Sequence, residues 1–566
     1  MLSLLRESSL GGVLYEDFYS QYGPAYHWIW NSIFQSFGLS YTHDNGRLAT
    51  LVCWVASSFI TGVSTWKITK NFIAGLSSTV VAFSLLRVLV NEPMHPLGLL
   101  SVLLSLLCFS TTIKSNSLLR SCIISGAIVA MGALKINFGV LGVLAIATYS
   151  IQRHPMLAGK AFDKLNSGLL NWHFNPKKSI SAAIILLTLP LILTASHPKT
   201  ALYGTLSALL VVLSENATRN RTQASNTKTL LISLILCIII VIAKAYQVGI
   251  TPLSLIQSVI ARPLSQPEIF AIPLNIGKAN LASLALGITL WIWSKGERDR
   301  MLLDCNLYFR QILAISCIAV MVIRPLLIIP FLWFGVGDDT RELPIISSLI
   351  FFTIYPVAGS QTGPALLLVV PIAFYIAVEL AEPSKTINAK KPPGLPQSLA
   401  KNSSVIVYIL AASMLVSFKI RETIRAKQVY ERNSQLEIRG ANVIRIPSDQ
   451  ASHLKAVSTW IDKNCILFYG LPGLNSFYIF TDKKLPGRQS GTAWMKLLNE
   501  REQQAVITSM ESVGPTERCL IVDEKIANMW NQGRQMPSGP LVHYLQSRFV
   551  YVNKIGGVKL FKGDTE

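Results

Sequence analysis

The sequence predicts an α-helical polytopic membrane protein of about 12 spans, with an extracytoplasmic α/β domain at its C-terminal end. Three observations lead there. The 566-residue chain is 51% hydrophobic and only 14% charged, against about 25% charged residues in soluble domains, and its mean hydropathy is +0.43. Apolar runs long enough to cross about 30 Å of hydrocarbon recur between residues 48 and 419. After Phe418 the charge density becomes ordinary, and helix-like stretches alternate with strand-like ones.

Residues 1–14 form neither a signal peptide nor a span, because their apolar run is short and broken by Arg6 and Glu7. An outward N-terminus ahead of many spans normally follows a segment that translocated it. Either this stretch crosses alone or a helix precedes it; the second is the expectation. Next comes Tyr15-Glu16-Asp17-Phe18-Tyr19-Ser20-Gln21-Tyr22-Gly23-Pro24, an acid pair in an aromatic stretch of a chain with only 30 Asp and Glu. From Pro24 to Gly38, Tyr26, Trp28, Ile29, Trp30, Ile33, Phe34 and Phe37 recur at helical spacing. They predict an amphipathic helix lying in the interface, with its aromatics at headgroup depth.

The spans are expected at 48–66, 72–90, 97–113, 118–134, 136–151, 180–196, 200–213, 229–247, 280–294, 311–332, 363–380 and 403–419. The runs at 136–151, 200–213 and 280–294 are short. Ile345 to Val357 is also short, ends in Tyr355-Pro356, and reads as interfacial or re-entrant. A charged, Pro-rich linker from Glu382 to Asn402 leads into the last span. The chain thus divides into an outward N-terminal catalytic loop with its interfacial helix (1–47), a transmembrane domain (48–419) and the α/β domain (420–566). In the last, helices are expected at 448–461, 494–511 and 539–547. Strands are expected at Cys465–Tyr469, Cys519–Val522, Phe549–Val552 and Gly557–Phe561. No G-x-G-x-x-G or P-loop pattern is present.

The net charge of +21 invites a nucleic-acid reading, but its distribution excludes one. With the N-terminus outside, the segments expected in the cytoplasm carry 20 Lys and Arg, and the internal loops on the other side carry 5. That is the positive-inside asymmetry, and a basic face next to anionic lipid needs no nucleic acid. Glu16 and Asp17 then face outward. Six of the eight cysteines lie in or beside spans as small apolar residues. Cys465 and Cys519 share an oxidising side where a disulfide could form; the expectation is two unpaired strand thiols, and no spacing suggests a metal knuckle.

Several outward residues could carry chemistry. Glu16 and Asp17 read either as a solvated acid pair or as a general base for an acceptor hydroxyl; adjacent side chains diverge, so one of the two would be the base. Glu92 and His95, in Asn91-Glu92-Pro93-Met94-His95-Pro96, are spaced i, i+3. They fit a divalent-metal or phosphate site, or a Pro-punctuated turn. Arg87 sits about one turn inside the membrane, snorkelling or functional. Lys135, in Gly132-Ala-Leu-Lys135-Ile-Asn137-Phe-Gly139, is a cation against the positive-inside trend. Arg324 lies within a span, followed by Pro325. Tyr355 to Gln361 offers hydroxyl, amide and backbone N–H groups. Cations for a phosphate, with a carboxylate and a hydroxyl on one face, would make a glycosyl-phosphate site.

On these residues the chain resembles the C-type (GT-C) integral-membrane glycosyltransferases, a superfamily that includes the protein O-mannosyltransferases, the aminoarabinose transferases of lipid A and bacterial relatives. Asp17 with Tyr22-Gly23-Pro24, the Glu92-to-Pro96 turn, the Lys135 turn, Tyr355–Gln361 and the outward α/β domain carry the resemblance, which covers the whole chain through short motifs. It implies a sugar donor on a polyprenyl phosphate and a lipid or glycan acceptor outside a bacterial inner membrane. Asp17, with Glu16 as its rival, would be the base for transfer with inversion. Arg87, Lys135 and Arg324 would hold the lipid phosphate, Tyr355 and Gln361 would bind substrate, and Glu92 with His95 would be the place for a divalent metal. Family members place a span ahead of the acidic loop, which would make thirteen in all. A flippase or transporter of lipid-linked saccharides would call for inverted repeats and broken helices at the midplane, and no repeat is evident. An O-antigen-ligase-like or polymerase-like enzyme does not readily account for the acidic motif or the C-terminal domain.

Overall fold

The computed structural model describes residues 1–90, 92–110, 112–113, 117–136, 227–262, 420–490, 498–531 and 538–565, with isolated positions between them. The spans expected at 180–196, 200–213, 280–294 and 311–332, the re-entrant stretch, and the candidates Arg324, Tyr355 and Gln361 lie outside the described residues.

The described chain is mostly helical. After α1 (Leu2–Ser9) and α2 (Pro24–Ser36) come α3 (His43–Thr69), α4 (Phe72–Leu89), α5 (Leu97–Ser110), α6 (Leu118–Leu134) and α7 (Thr227–Gln247). These bounds follow the apolar runs read from the sequence. Local chemistry sets the ends. Thr42 caps α3 by accepting from Asn45 N, and Asn71 caps α4 by accepting from Ala74 N. Between them Lys70 takes a left-handed φ of 56° that turns the chain back.

Among the described residues, α3 and Thr229–Gln247 are long and apolar enough to cross a membrane, while α4, α5 and α6 are shorter apolar helices. The side-chain distribution on α3 is the reverse of a soluble helix. It buries Gly46, Thr50, Cys53, Ser57, Thr61, Gly62 and Thr65 and exposes Leu48, Leu51, Val52, Val55, Phe59 and Trp66. Its buried hydroxyls bond within the bundle, as where Ser57 and Ser101 approach to 2.9 Å, or to carbonyls one turn back, as Thr61 does to Ser57 O at 2.7 Å. Small residues let helix axes approach closely where lipid, not water, is the outer solvent. A Cβ on Gly62 would stand 1.8 Å from Thr79 Oγ1 of α4. Helix α7 packs on α6, with Ser125 donating to Leu230 O at 3.2 Å, and exposes Leu231, Ile235, Leu236, Ile239, Ile240 and Ile242. Such a belt is an exposed apolar surface of the kind that meets lipid or another protein.

After α7 comes the short α8 (Pro252–Ile256), and the C-terminal α/β domain follows α9, a helix through 420–432. Its elements are β1 (Ser434–Gln435), β2 (Arg445–Ile446), α10 (Ser448–Asn464), β3 (Leu467–Leu471), α11 (Ser476–Phe480), α12 (Glu500–Glu511), β4 (Arg518–Asp523), α13 (Glu524–Asn531), α14 (Pro540–Ser547), β5 (Phe549–Ile555) and β6 (Val558–Gly563). The main sheet has the order β3-β4-β6-β5. β3 and β4 are parallel across α12, and β6 pairs antiparallel with both β4 and β5. The expectation of two unpaired thiols is corrected: Cys465 and Cys519, 54 residues apart, form a disulfide across the starts of the two parallel strands. The Cα atoms of these residues, 5.7 Å apart, sit at the ordinary bridging distance.

The N-terminal segment packs against this domain. Leu4, Leu14, Tyr15, Phe18 and Tyr19 share one hydrophobic core with Phe468, Tyr478, Val506 and Leu520, and Ala245 and Ile250 join it after α7. A second core holds Leu2, Leu5, Tyr22, Tyr26, Trp30 and Phe34 with Met94 and Leu134. Helix α2 forms where the aromatic spacing predicts, but its aromatics are placed otherwise. Tyr26, Trp30 and Phe34 are buried in protein, because α1 and the end of α6 cover the face expected to meet headgroups. The start of α3, the end of α4, the start of α5 and the ends of α6 and α7 therefore gather at one end of the helices, with the α/β domain beside them.

Candidate functional site

Three short segments far apart in sequence meet at that end. The first is the Tyr22-Gly23-Pro24 turn entering α2. Pro24 suits the first helical position, where its missing N–H is no loss. The second is the turn Glu92–Pro96 between α4 and α5, and the third is the C-terminus of α6 at Leu134 and Lys135. Gly23 N donates to Leu134 O at 2.8 Å, and the approach is so close that a Cβ on Gly23 would lie 2.1 Å from Ala133 O. Tyr26 donates to Met94 O at 2.5 Å, and Met94 N donates to Thr50 Oγ1 at 2.9 Å. Met94 and Tyr15 are non-glycine residues in the left-handed region, at φ 57° and 69°. Such strain persists only where surrounding packing imposes it. Here it shapes two of the loops around the site.

This packing brings Tyr22, His95 and Lys135 together. Tyr22 Oη lies 3.1 Å from His95 Nε2, and the two rings meet edge to face with centroids 5.7 Å apart. Lys135 Nζ sits over the Tyr22 ring, 5.4 Å from its centroid. Desolvation lowers the lysine to a pKa of about 7. Desolvation, with Lys135 adding to it, lowers His95 to about 3, so the imidazole is neutral at physiological pH. Burial raises the Tyr22 hydroxyl well above its ordinary value. Among the described residues Lys135 has no ion-pair partner. The cluster thus sets a desolvated lysine beside a neutral imidazole and a protonated phenol.

The other sequence candidates fall elsewhere. Asp17 is exposed; its Oδ2 accepts from Val13 N at 2.8 Å and lies 3.5 Å from Arg488 Nη1. Glu16 Oε1 accepts from Thr251 N at 3.1 Å, at the start of α8 (Pro252–Ile256). Partial burial pushes the Glu16 carboxyl up, but the hydrogen bonds from Ser254 and Thr251 outweigh it and leave the pKa lowered. Five residues separate Asp17 from Tyr22, so their Cα atoms are at most about 18 Å apart. Arg87 pairs with Glu422 at 3.2 Å and lines a cavity of about 440 Å³ with Arg425, Tyr430 and Asn433.

Glu92 and His95 do not fit a metal. Leu97 N donates to His95 Nδ1 at 3.2 Å, so the neutral ring carries its proton on Nε2, the nitrogen a metal would need. Glu92 Oε2 is 3.8 Å from that nitrogen, on a side chain 75% exposed. No group of three His, Cys, Asp or Glu that could hold a metal occurs among the described residues.

Gln489 of the C-terminal domain and Arg262, neither of which the sequence singles out, hold the acidic loop in place. Gln489, almost fully buried, donates through Nε2 to Asp17 O at 2.9 Å and accepts from Tyr19 N at 3.0 Å. Arg262 makes two hydrogen bonds to Glu502, at 2.8 and 2.9 Å, with its guanidinium 4.6 Å from the Tyr19 ring centroid. No local pattern marks Gln489, because its partners lie about 470 residues away. Tyr22 stands within the aromatic stretch that the sequence does mark.

Fold and site together describe a mostly helical protein with exposed apolar helix faces, an α/β domain at one end and the Tyr22, His95 and Lys135 cluster at that same end of the helices. No protein-family model matches the chain, and no curated protein matches it. Among solved structures it is similar to the archaeal oligosaccharyltransferase AglB from Archaeoglobus fulgidus in complex with an inhibitory peptide and a dolichol-phosphate. The identity is 10% and the TM-score 0.35, over 97% of this chain and 67% of that one. It is also similar to the Archaeoglobus fulgidus oligosaccharyltransferase tethered with an acceptor peptide, at 9% identity and TM-score 0.37, over 100% of this chain and 69% of that one.

Proposed function

We propose that the protein is a membrane glycosyltransferase that moves a sugar from a polyprenyl-phosphate donor to a lipid or glycan acceptor outside a bacterial inner membrane. The observation that carries the reading is Lys135: a desolvated cation without an ion-pair partner among the described residues, at the end of the lipid-facing helices where a lipid phosphate would lie. Donor binding is also assigned to Arg87, which pairs with Glu422 in a separate cavity, and to Arg324, Tyr355 and Gln361, which lie outside the described residues. The Cys465–Cys519 disulfide favours an oxidising compartment for the α/β domain, and the N-terminal acids share that side.

Asp17 serves as the base. Its second carboxylate oxygen has no partner among the described residues, whereas the Glu16 carboxylate is engaged at the start of α8. The acceptor O–H loses its proton to Asp17 as its oxygen attacks the anomeric carbon. The anomeric C–O bond to phosphate breaks, polyprenyl phosphate leaves with the electron pair held by Lys135, and the configuration inverts. Asp17 then returns its proton to water. The test is transfer by Asp17→Asn and Glu16→Gln in reconstituted full-length protein. Asp17→Asn is expected to abolish transfer with donor binding retained. Loss in Glu16→Gln alone would exchange the two roles, and full activity in both would remove the loop from the chemistry.

A further inference from the structure

The hydrogen bonds around His95 assign a direction to every proton in the cluster. Leu97 N is a donor only, so His95 Nδ1 at 3.2 Å must accept. A neutral imidazole that accepts at Nδ1 carries its hydrogen on Nε2. Nε2–H therefore donates to Tyr22 Oη, 3.1 Å away. The phenolic oxygen is then an acceptor in this bond, and its own O–H must point elsewhere. Tyr22 is only 5% exposed, and among the described residues its hydroxyl has no acceptor within hydrogen-bond distance. Buried hydroxyls normally have both roles filled. The unused donor lies on the residue whose ring faces Lys135. Glu92 Oε2 lies 3.8 Å from His95 Nε2 on a side chain 75% exposed, and Lys135 is the charge that acts most on the ring.

We infer that Tyr22 donates its hydroxyl hydrogen to a phosphate oxygen of the ligand beside Lys135, and that His95 is a positioning residue, locked as a donor, that holds the phenol in that orientation. This rests on the proposal that the site takes a lipid phosphate. It gives His95 a task that requires the tautomer a metal ligand could not use, and it extends the anion site to a residue of the aromatic stretch.

Full-length protein in nanodiscs is titrated with a polyprenyl monophosphate and, as control, the uncharged polyprenol. Wild type is expected to prefer the phosphate strongly; equal binding of both would remove the lipid-phosphate reading itself. Given that preference, Tyr22→Phe keeps the ring under Lys135 and is expected to weaken phosphate binding about tenfold or more, the loss of one hydrogen bond to a charged group. His95→Phe is expected to weaken it several-fold with Tyr22 present, and to add nothing in the Tyr22→Phe background. Additive losses, or full affinity in Tyr22→Phe, would overturn the inference. Nitrogen NMR of wild-type protein labelled at histidine tests the same point without a variant. His95 is expected to carry its proton on Nε2, and a proton on Nδ1 would overturn the orientation.

Discussion

Replacing Gly23 with alanine tests the packing on which the site depends. The glycine is not there for its backbone freedom: its φ of −73° and ψ of 173° suit any residue. What forbids a side chain is space. The Cβ would lie 2.1 Å from Ala133 O and 2.8 Å from Ala133 C, both backbone atoms at the end of α6. Bringing the first contact to 3.0 Å requires a shift of about 1 Å, and the Gly23 N to Leu134 O bond must lengthen with it. Overpacking of this kind costs about 1–3 kcal/mol, and a strained hydrogen bond adds about 0.5–1.5 kcal/mol. The reduced freedom of the unfolded chain returns about 0.4–1 kcal/mol, so the net loss falls within about 0.5–4 kcal/mol, centred near 2 kcal/mol. The shift falls between Tyr22 and Lys135, so polyprenyl phosphate affinity is expected to fall about tenfold, the equivalent of about 1.4 kcal/mol. Thermal unfolding of purified full-length protein and phosphate titration read the two effects. Gly126→Ala, whose Cβ would meet nothing within 4 Å, is the control that should leave both unchanged or raise stability slightly. A Gly23→Ala protein with wild-type melting and wild-type affinity would refute the close approach and the cluster built on it.

Three further outcomes follow from the same geometry. Lys135 has its pKa lowered to about 7 in the folded chain, so phosphate affinity is expected to be flat below that pH and to fall about tenfold per unit above it; Lys135→Arg should flatten the profile. The sign for stability is the opposite: the lysine opposes folding fully below pH 7, and the penalty is relieved as the pH rises toward the unfolded value. Removing the disulfide with paired Cys465→Ser and Cys519→Ser is expected to cost about 4 kcal/mol by chain entropy for a loop of this length. It is read by proteolysis of the α/β domain in full-length protein; alkylation of both thiols in unreduced wild type would contradict the bond. Gln489→Leu frees the backbone at Asp17 and Tyr19. It should lower turnover about tenfold or more through misplacement of the base while phosphate affinity stays within about twofold.

Much of the fold is legible in the sequence because lipid writes a coarse code. A helix in hydrocarbon needs only length and apolarity, so α3, α4, α6 and α7 stand where the runs place them. The α/β domain is legible because segments such as Leu467–Leu471 and Cys519–Val522 are short apolar runs between helices. Long-range consequences are not legible. Cys465 and Cys519 pair because parallel pairing of β3 with β4 sets their register, which no local pattern encodes. Tyr26, Trp30 and Phe34 have the spacing of an interfacial face, and a burial decided by α1 and α6. Among the site residues, Lys135 stands out as a cation on the wrong side of the charge asymmetry. Glu92 and His95 have metal spacing, but only the Leu97 N–H reveals which ring nitrogen carries the proton.

The central claim is transfer from a lipid phosphate with inversion. Its most direct measurement is the reaction of reconstituted full-length protein with a polyprenyl-phosphate sugar of defined anomeric configuration, following free polyprenyl phosphate and the anomeric signal of the product together. The expected result is one polyprenyl phosphate released per sugar transferred, with the opposite configuration at the anomeric carbon, and neither product from Asp17→Asn. Retained configuration, or transfer that persists in both Asp17→Asn and Lys135→Ala, would contradict it.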